Sequence, residues 1–419
     1  MSFSVHYKND ELFMEEVPVR DIADKVGTPC FIYSYGSIAE SFRSYKEALS
    51  DIDPIICFST KANSNLAVLN AFADLGAGFD IVSVGELNRV IKAGGDMSKV
   101  VFSGVGKTDL EIKEAIEAGI LFFNVESVDE LNSINEVGIK IGKKAPIALR
   151  VNPDIDPKTH PYISTGFKKS KFGIELSKSA QVYKDASKME GINIVGIDAH
   201  IGSQIFELSS FSDSVKKLIR LADILVNEGI EIKYIDIGGG LGINYKIDEE
   251  PPSTIEYAET IISETTGSPY KIVIEPGRSL IGNSGVMVTK VLYTKEGSAK
   301  NFVIVDAAMN DLIRPAFYNS HHEIITVKQS RTATKEVDIV GPICESGDFL
   351  AVDREFPEVH KGDYLSVLSA GAYGFVMSSN YNSRPRAAEV MIMGNKFEII
   401  KERENFDDLI KGERIPDFS

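Results

Sequence analysis

Residues 195–240 carry three segments in order: VGIDAHIGS (195–203), SVKKLIRLADILVNEG (214–229) and YIDIGGG (234–240). The first and last are short β-branched runs that end in polar or glycine residues, as buried strands do. The middle one has apolar residues at three- and four-residue spacing and stops on Gly229, the pattern of an amphipathic helix. Strand, helix and strand therefore follow one another. The same rhythm extends outward in both directions. IICFSTK (55–61), FDIVS (79–83), VVFSG (100–104), LFFNVES (121–127) and IALRVN (147–152) precede it, and KIVIEPG (271–277) follows. Between the early strands lie helical stretches such as ELNRVIKAGG (86–95) and DLEIKEAIEAG (109–119). Eight strands alternating with helices give an α/β fold, a (β/α)8 barrel over about residues 36–280, with a doubly wound sheet as the alternative built from the same rhythm.

Beyond Leu280 the rhythm changes. VMVTKVLYTKE (286–296), NFVIVDAAM (301–309), EVDIVGPICES (336–346), DYLSVLSAG (363–371) and AAEVMIMGNKFEIIKE (387–402) are strand-like with turns between them. Residues 281–419 thus form a mainly β domain. The first 35 residues, with PCFIYSY at 29–35, are also strand-like and are assigned to it.

The composition narrows the classes of function. With 45 Lys+Arg against 61 Asp+Glu, the 419-residue chain has a formal charge of −16. Nucleic acid and anionic lipid surfaces are therefore poor partners, although a local basic pocket for a phosphorylated small molecule is compatible with that balance. Cys30, Cys57 and Cys344 are too few and too scattered for a disulfide framework or a Cys-x-x-Cys site. The six histidines show no metal-binding spacing, so no metal is expected. The start of the chain lacks the apolar core of a signal peptide, and no apolar run approaches the ~18 residues of a membrane span. A cytoplasmic protein follows as the expectation.

In a barrel the chemistry sits where strands give way to loops. Lys61, Asp80, Ser103, Glu126, Asn152, His200, Gly238–Gly240 and Glu275–Arg278 cluster at such points. Burial of an ammonium is costly and lowers its pKa, which suits imine formation, but Lys61 at a strand end also fits a snorkelling lysine. GGGLG (238–242) is suited to presenting N–H groups to an anion; with Ile at 243 it is not GxGxxG, and no Lys-Ser/Thr follows it. GKT at 106–108 is no P-loop, because Val occupies position 101.

Taken together, FSTKAN (58–63), GFDIVSVGEL (78–87), LRVNP (149–153), HPYISTGFKKSKFGI (160–174), HIGSQ (200–204), DIGGGLGI (236–243), EPGR (275–278), GPICESGD (341–348) and GAYGFVMSSNYNSRPR (371–386) form an ordered set. In that order they resemble the barrel-type pyridoxal-phosphate decarboxylases of alanine racemase-like fold, in their diaminopimelate rather than their ornithine branch. The resemblance implies that Lys61 carries pyridoxal 5'-phosphate covalently, that His200 stacks on its ring and that Glu275 pairs with the ring nitrogen. It implies a phosphate cradle of Ser203, Gly239, Gly240 and the backbone of 275–278, Gly277 and Arg278 included. Arg278, Arg314, Tyr318, Glu345 and Tyr373 then contact substrate, Tyr373 near the cofactor as well. Cys344 is the implied proton donor, supplied by the second subunit of a homodimer with shared active sites. The implied reaction is decarboxylation of meso-2,6-diaminopimelate to L-lysine and CO2. Alternatives on the same fold are a decarboxylase of another basic amino acid and a non-catalytic regulatory relative.

Overall fold

The computed structural model describes residues 3–155 and 171–418; residues 160–170 of the HPYISTG motif lie outside them. The chain divides into two compact units. One comprises Ile38–Ile243 and Glu250–Leu280, and the other Ser2–Ser37, Asn244–Glu249 and Ile281–Ser419.

Among the described residues of the first unit, eight parallel strands form the barrel: β1 (Ile55–Ser59), β2 (Gly78–Ile81), β3 (Val100–Phe102), β4 (Phe122–Val125), β5 (Ala145–Asn152), β6 (Ile192–Asp198), β7 (Tyr234–Asp236) and β8 (Lys271–Ile274), with a two-residue strand, Ile174–Glu175, paired beside β5. Each pairs with the next, and β8 returns to β1 through Val273 opposite Ile55 and Ile274 opposite Ile56. That closure makes the sheet a barrel and excludes the doubly wound alternative. Local chemistry starts and stops the helices between the strands. Thr108 and Ser253 each close a capping box, with Glu111 and Glu256 respectively. Gly119 and Gly142 end their helices in the left-handed region at φ 74° and 68°.

Strand periodicity then sorts the interior into layers, because residues two apart share a face. Cys57, Val101, Phe122, Ala148 and Val273 belong to one apolar cluster. Two residues further along their strands stand Ser59, Ser103, Asn124, Arg150 and Glu275. Asp80, Asp198 and Asp236 complete this polar layer in register, Ser59 opposite Asp80 and Asp198 opposite both Arg150 and Asp236. Every barrel strand thus contributes a buried polar side chain to this layer, within two residues of its C-terminal end.

In the second unit, Val5–Lys8, Glu11–Met14 and Val17–Pro18 form a meander. Cys30–Ser34 enters a larger sheet, antiparallel to Gly285–Glu296 and parallel to Ala388–Met393. Ile32, Val286, Val288, Val390 and Ile392 are among the buried side chains of its core.

Candidate active site

Lys61 lies just past β1, in a 3-10 turn over Thr60–Ala62 rather than in the strand itself. Its ammonium forms an ion pair with Asp80, whose side chain is fully buried. Ser59 Oγ lies 3.0 Å from Asp80 Oδ2 and 2.9 Å from the Glu275 carbonyl. Deeper in the layer, carboxylate oxygens of Asp198, Asp236 and Glu275 converge within 4.8 Å of one another. Asn124 Nδ2 donates to Glu275 Oε1 (3.1 Å), and Asp236 Oδ1 accepts the Gly238 N–H (3.0 Å). Burial and mutual repulsion push all three acids above the usual carboxylate range, Glu275 through desolvation first and then Asp236 and Asp80. Oδ1 of Asp80 and Oδ1 of Asp198 are buried and accept no hydrogen bond among the described residues.

Around this acidic floor runs the glycine loop. Gly238 and Gly240 have φ of 68° and 123°, which L side chains rarely adopt. A Cβ on Gly239 would run into the Glu275 carbonyl, and one on Gly277 would meet Ser59 Cβ at 2.9 Å, so the backbone approaches closely at both places. The Gly239 N–H donates to His200 Nδ1 (3.1 Å), which leaves the ring proton on Nε2. Burial, reinforced by Arg150 and Lys61, holds His200 well below the usual imidazole range, hence neutral. Arg278 Nη2 donates to Ser203 Oγ (3.1 Å). Lys61, His200, Ser203, Gly239, Gly240, Glu275, Gly277 and Arg278 are all carried by the barrel unit.

The remaining candidates lie in the second unit. Arg314 opens a short helix, Arg314–Tyr318, and is buried. Its Nε donates to His322 Nε2 (3.3 Å) and its Nη2 to Ser320 Oγ (3.3 Å), while the guanidinium stands 5.0 Å from the Tyr245 ring centre and 5.8 Å from that of Tyr318. His322 Nδ1 lies 2.8 Å from the Leu368 carbonyl, so that nitrogen carries the proton and Nε2 accepts from the arginine. Cys344 and Glu345 occupy an exposed loop anchored by Asp348, which accepts from the N–H groups of Met309 and Ile343 (both 2.7 Å). The Cys344 N–H donates to Asn382 Oδ1 (2.9 Å). Tyr373 has φ 56°, a left-handed backbone uncommon for a bulky residue.

Asn124, Arg150, Asp198 and Asp236 were not singled out from sequence. The available signal was a polar residue inside an apolar strand: Asn in LFFNV, Arg in IALRV and Asp in both VGID and YID. Tyr245 and His322 carried no such signal, because only the fold brings them to Arg314.

The barrel, its acidic floor and a lysine at its mouth define a class. Residues 35–282 match the model of the pyridoxal-dependent decarboxylases, pyridoxal binding domain, and the chain belongs to that family. Its relatives specify the member. The diaminopimelate decarboxylase of Aquifex aeolicus is 49% identical over 407 residues, 97% of this chain and 96% of that one. The crystal structure of diaminopimelate decarboxylase from M. jannaschii in co-complex with L-lysine superposes with a TM-score of 0.94 at 38% identity, covering 99% and 98% of the two chains. The Helicobacter pylori diaminopimelate decarboxylase complexed with L-lysine gives 0.90 at 40% identity, covering 94% and 98%. The chain is thus a pyridoxal-dependent decarboxylase of the diaminopimelate type. The barrel residues suit pyridoxal phosphate: buried carboxylates in excess call for a cationic ring N–H, and the glycine loop leaves no room for side chains.

Proposed function

We propose that this enzyme decarboxylates meso-2,6-diaminopimelate at its D-centre, giving L-lysine and CO2 in the cytoplasm as the last step of lysine biosynthesis. The observation that carries this reading is the polar layer, where a lysine paired with Asp80 stands over buried carboxylates that need a cation. When bound, pyridoxal phosphate supplies the sink for the electron pair that departing CO2 leaves at Cα. Lys61 would hold it covalently, exchanging its partner Asp80 for the cofactor's carbonyl carbon. Glu275, ionised, would keep the ring nitrogen protonated, as an opposite charge must. Neutral His200 offers a flat apolar face to the ring. Ser203, Gly239, Gly240, Gly277 and Arg278 would take the phosphate.

In the second unit, Arg314 is suited to the distal carboxylate of the substrate and Glu345 to its distal ammonium, with Tyr318 and Tyr373 beside them. Lysine, ornithine and arginine lack that distal carboxylate, which favours diaminopimelate. Cys344 would return the proton to Cα. Following the family resemblance, we assign Cys344 and Glu345, on their exposed loop, to the partner subunit of a homodimer, each site being built from two chains. The domains proposed are a cofactor-binding barrel over 36–280 and a β domain from 1–35 and 281–419. The test is CO2 and lysine release from meso-diaminopimelate, with ornithine and arginine as controls. Equal turnover of the controls would overturn the substrate assignment.

A further inference from the structure

The polar layer of the barrel is out of charge balance, and the place where it is balanced is Arg150. Its Nη1 donates to Glu126 Oε1 (2.9 Å), and its Nε lies 3.9 Å from Asp198 Oδ2. Glu126 is itself held from three sides. It accepts the Gly104 N–H (3.2 Å) and the Gly173 N–H (2.9 Å), and its own N–H donates to Glu130 Oε2 (3.0 Å). Glu130 Oε1 in turn takes the ammonium of Lys107 (2.7 Å), whose side chain is 1% exposed. Lys107, Glu130, Glu126, Arg150 and Asp198 therefore form one linked chain of charges, a cation at Lys107, two acids bridged by the Glu126 N–H, a second cation at Arg150 and then Asp198, from the rim of the barrel into the acidic trio. A buried chain of this kind is not explained by stability alone, since desolvating each ion costs several kcal/mol.

We infer that Arg150, clamped by Glu126, is a positioning residue: it favours the charged form of Asp198, and so sets how many protons the trio shares and how firmly Glu275 holds a ring nitrogen. The last clause rests on the proposed pairing of Glu275 with the cofactor; the first does not. The groups that face the trio are Asp80 with Lys61 from the β1 and β2 side, Ser103 and Asn124 after β3 and on β4, His200 beyond β6, the Cys57 thiol below, and the buried phenols of Tyr183 near Asp198 and Tyr257 near Asp236. Glu126 and Arg150 complete the surround from the β4 and β5 side. Among these, Arg150 is the cation nearest Asp198, and Glu126 is the acid that competes with Asp198 for it.

That competition gives two variants of opposite sign. Arg150→Met removes the cation, so the trio should keep its protons to higher pH, by about one to three pH units. Glu126→Gln removes the competitor and should move the titration the other way. Arg150→Lys should fall between wild type and Arg150→Met. The readout is the infrared C=O stretch of protonated carboxyl groups, followed against pH in the full chain freed of cofactor. If Arg150→Met fails to fold, an upward movement in Arg150→Lys carries the test, since Glu126→Gln also removes a like charge that acts on Asp198 directly. Both variants moving in the same direction, or Glu126→Gln not moving, would overturn the role of Arg150, since a purely structural part would disturb both alike. Saturating the wild type with pyridoxal phosphate should then weaken the band at fixed pH, as Glu275 gives up its share of proton to face a ring N–H. A band that the cofactor leaves unchanged would overturn the pairing of Glu275 with the ring and leave the role of Arg150 standing.

Discussion

The barrel mouth and the surroundings of Arg314 are both buried polar sites, yet they are built on opposite principles. In the barrel each strand delivers one polar side chain, two residues beyond an apolar or small one, and acids outnumber cations. Arg314, by contrast, is a buried cation that donates to an imidazole and a hydroxyl and stands by two tyrosine rings. The difference teaches what each region accepts. An acidic floor lowers its free energy by taking in a positive ring, whereas a guanidinium beside an imidazole acceptor, a hydroxyl and aromatic rings suits the fork geometry of a carboxylate. A substrate with a carboxylate at its far end and a cofactor with a protonated ring answer those two demands separately.

The largest effect should come from breaking the link between the mouth and its cofactor. Lys61→Ala is expected to abolish the visible absorbance of bound pyridoxal phosphate and to lower turnover by several orders of magnitude while the far-ultraviolet circular dichroism stays native. Retained absorbance and activity would refute the assignment. One layer below, the response should be reversed in kind. Phe122 is fully buried, its ring 5.6 Å from that of Tyr234. Phe122→Ala should cost about 3–5 kcal/mol of stability in chemical denaturation, the cavity and transfer loss of a large aromatic. Its cofactor absorbance below the melting point should persist. If Phe122→Ala is as stable as the wild type, the apolar layer is not the support of the polar one.

This contrast also explains what the sequence disclosed. The barrel was legible because its strands and helices repeat a local pattern, and Lys61, His200, Glu275 and Arg278 fall where that pattern breaks. Asp198 and Asp236 end strands no differently from many solvent-facing aspartates; their convergence depends on the register of β6, β7 and β8, which strand pairing sets. Arg314 stood out only through the family resemblance, and Tyr245 and His322 not at all: Tyr245 lies about 70 residues from Arg314, and His322, eight residues on, meets it only because the turn after the Arg314–Tyr318 helix folds back. Local signals carry strand ends; they do not carry neighbours made by topology.

Arg314→Ala sharpens the comparison from the other region. Loss of a charge-assisted hydrogen bond, about 1.5–3 kcal/mol, corresponds to about a ten- to hundred-fold rise in KM for diaminopimelate. With kcat little changed, the lost contact is one made equally in ground and transition states. An unchanged KM would make Arg314 structural.

The two regions should also differ in their answer to pH. The buried acids of the mouth have folded-state pKa values raised above the unfolded ones, Asp236 to about 8. Their contribution to stability is therefore complete below the unfolded value near ~4 and is lost as pH rises through the folded one. His200 is shifted the opposite way, so its contribution is present above the unfolded value and lost as pH falls. Without cofactor, the melting temperature should decline between about pH 6 and 9, and less steeply once pyridoxal phosphate places a positive ring over the trio. A flat profile on the alkaline side would mean that the trio is compensated otherwise.

The smallest effect tests whether the two regions meet across a subunit boundary. Lys61→Ala and Cys344→Ala proteins should each be nearly inactive, the first lacking its cofactor attachment and the second its proton donor. If every site takes Lys61 from one chain and Cys344 from the other, a heterodimer of the two variants concentrates both lesions in one site and leaves the second intact. Random exchange makes about half of the dimers heterodimers with one working site of two, so activity should recover to roughly a quarter of wild type. A site drawn from a single chain would behave differently: each heterodimer would hold one site without Lys61 and one without Cys344, and nothing would recover. Exchange must be shown independently, for example by mass spectrometry of isotopically distinct chains. With exchange shown, zero recovery would return Cys344 to its own chain's site or remove it from the reaction, whereas a quarter would establish that the acidic mouth of one subunit works with the Cys344 loop of the other.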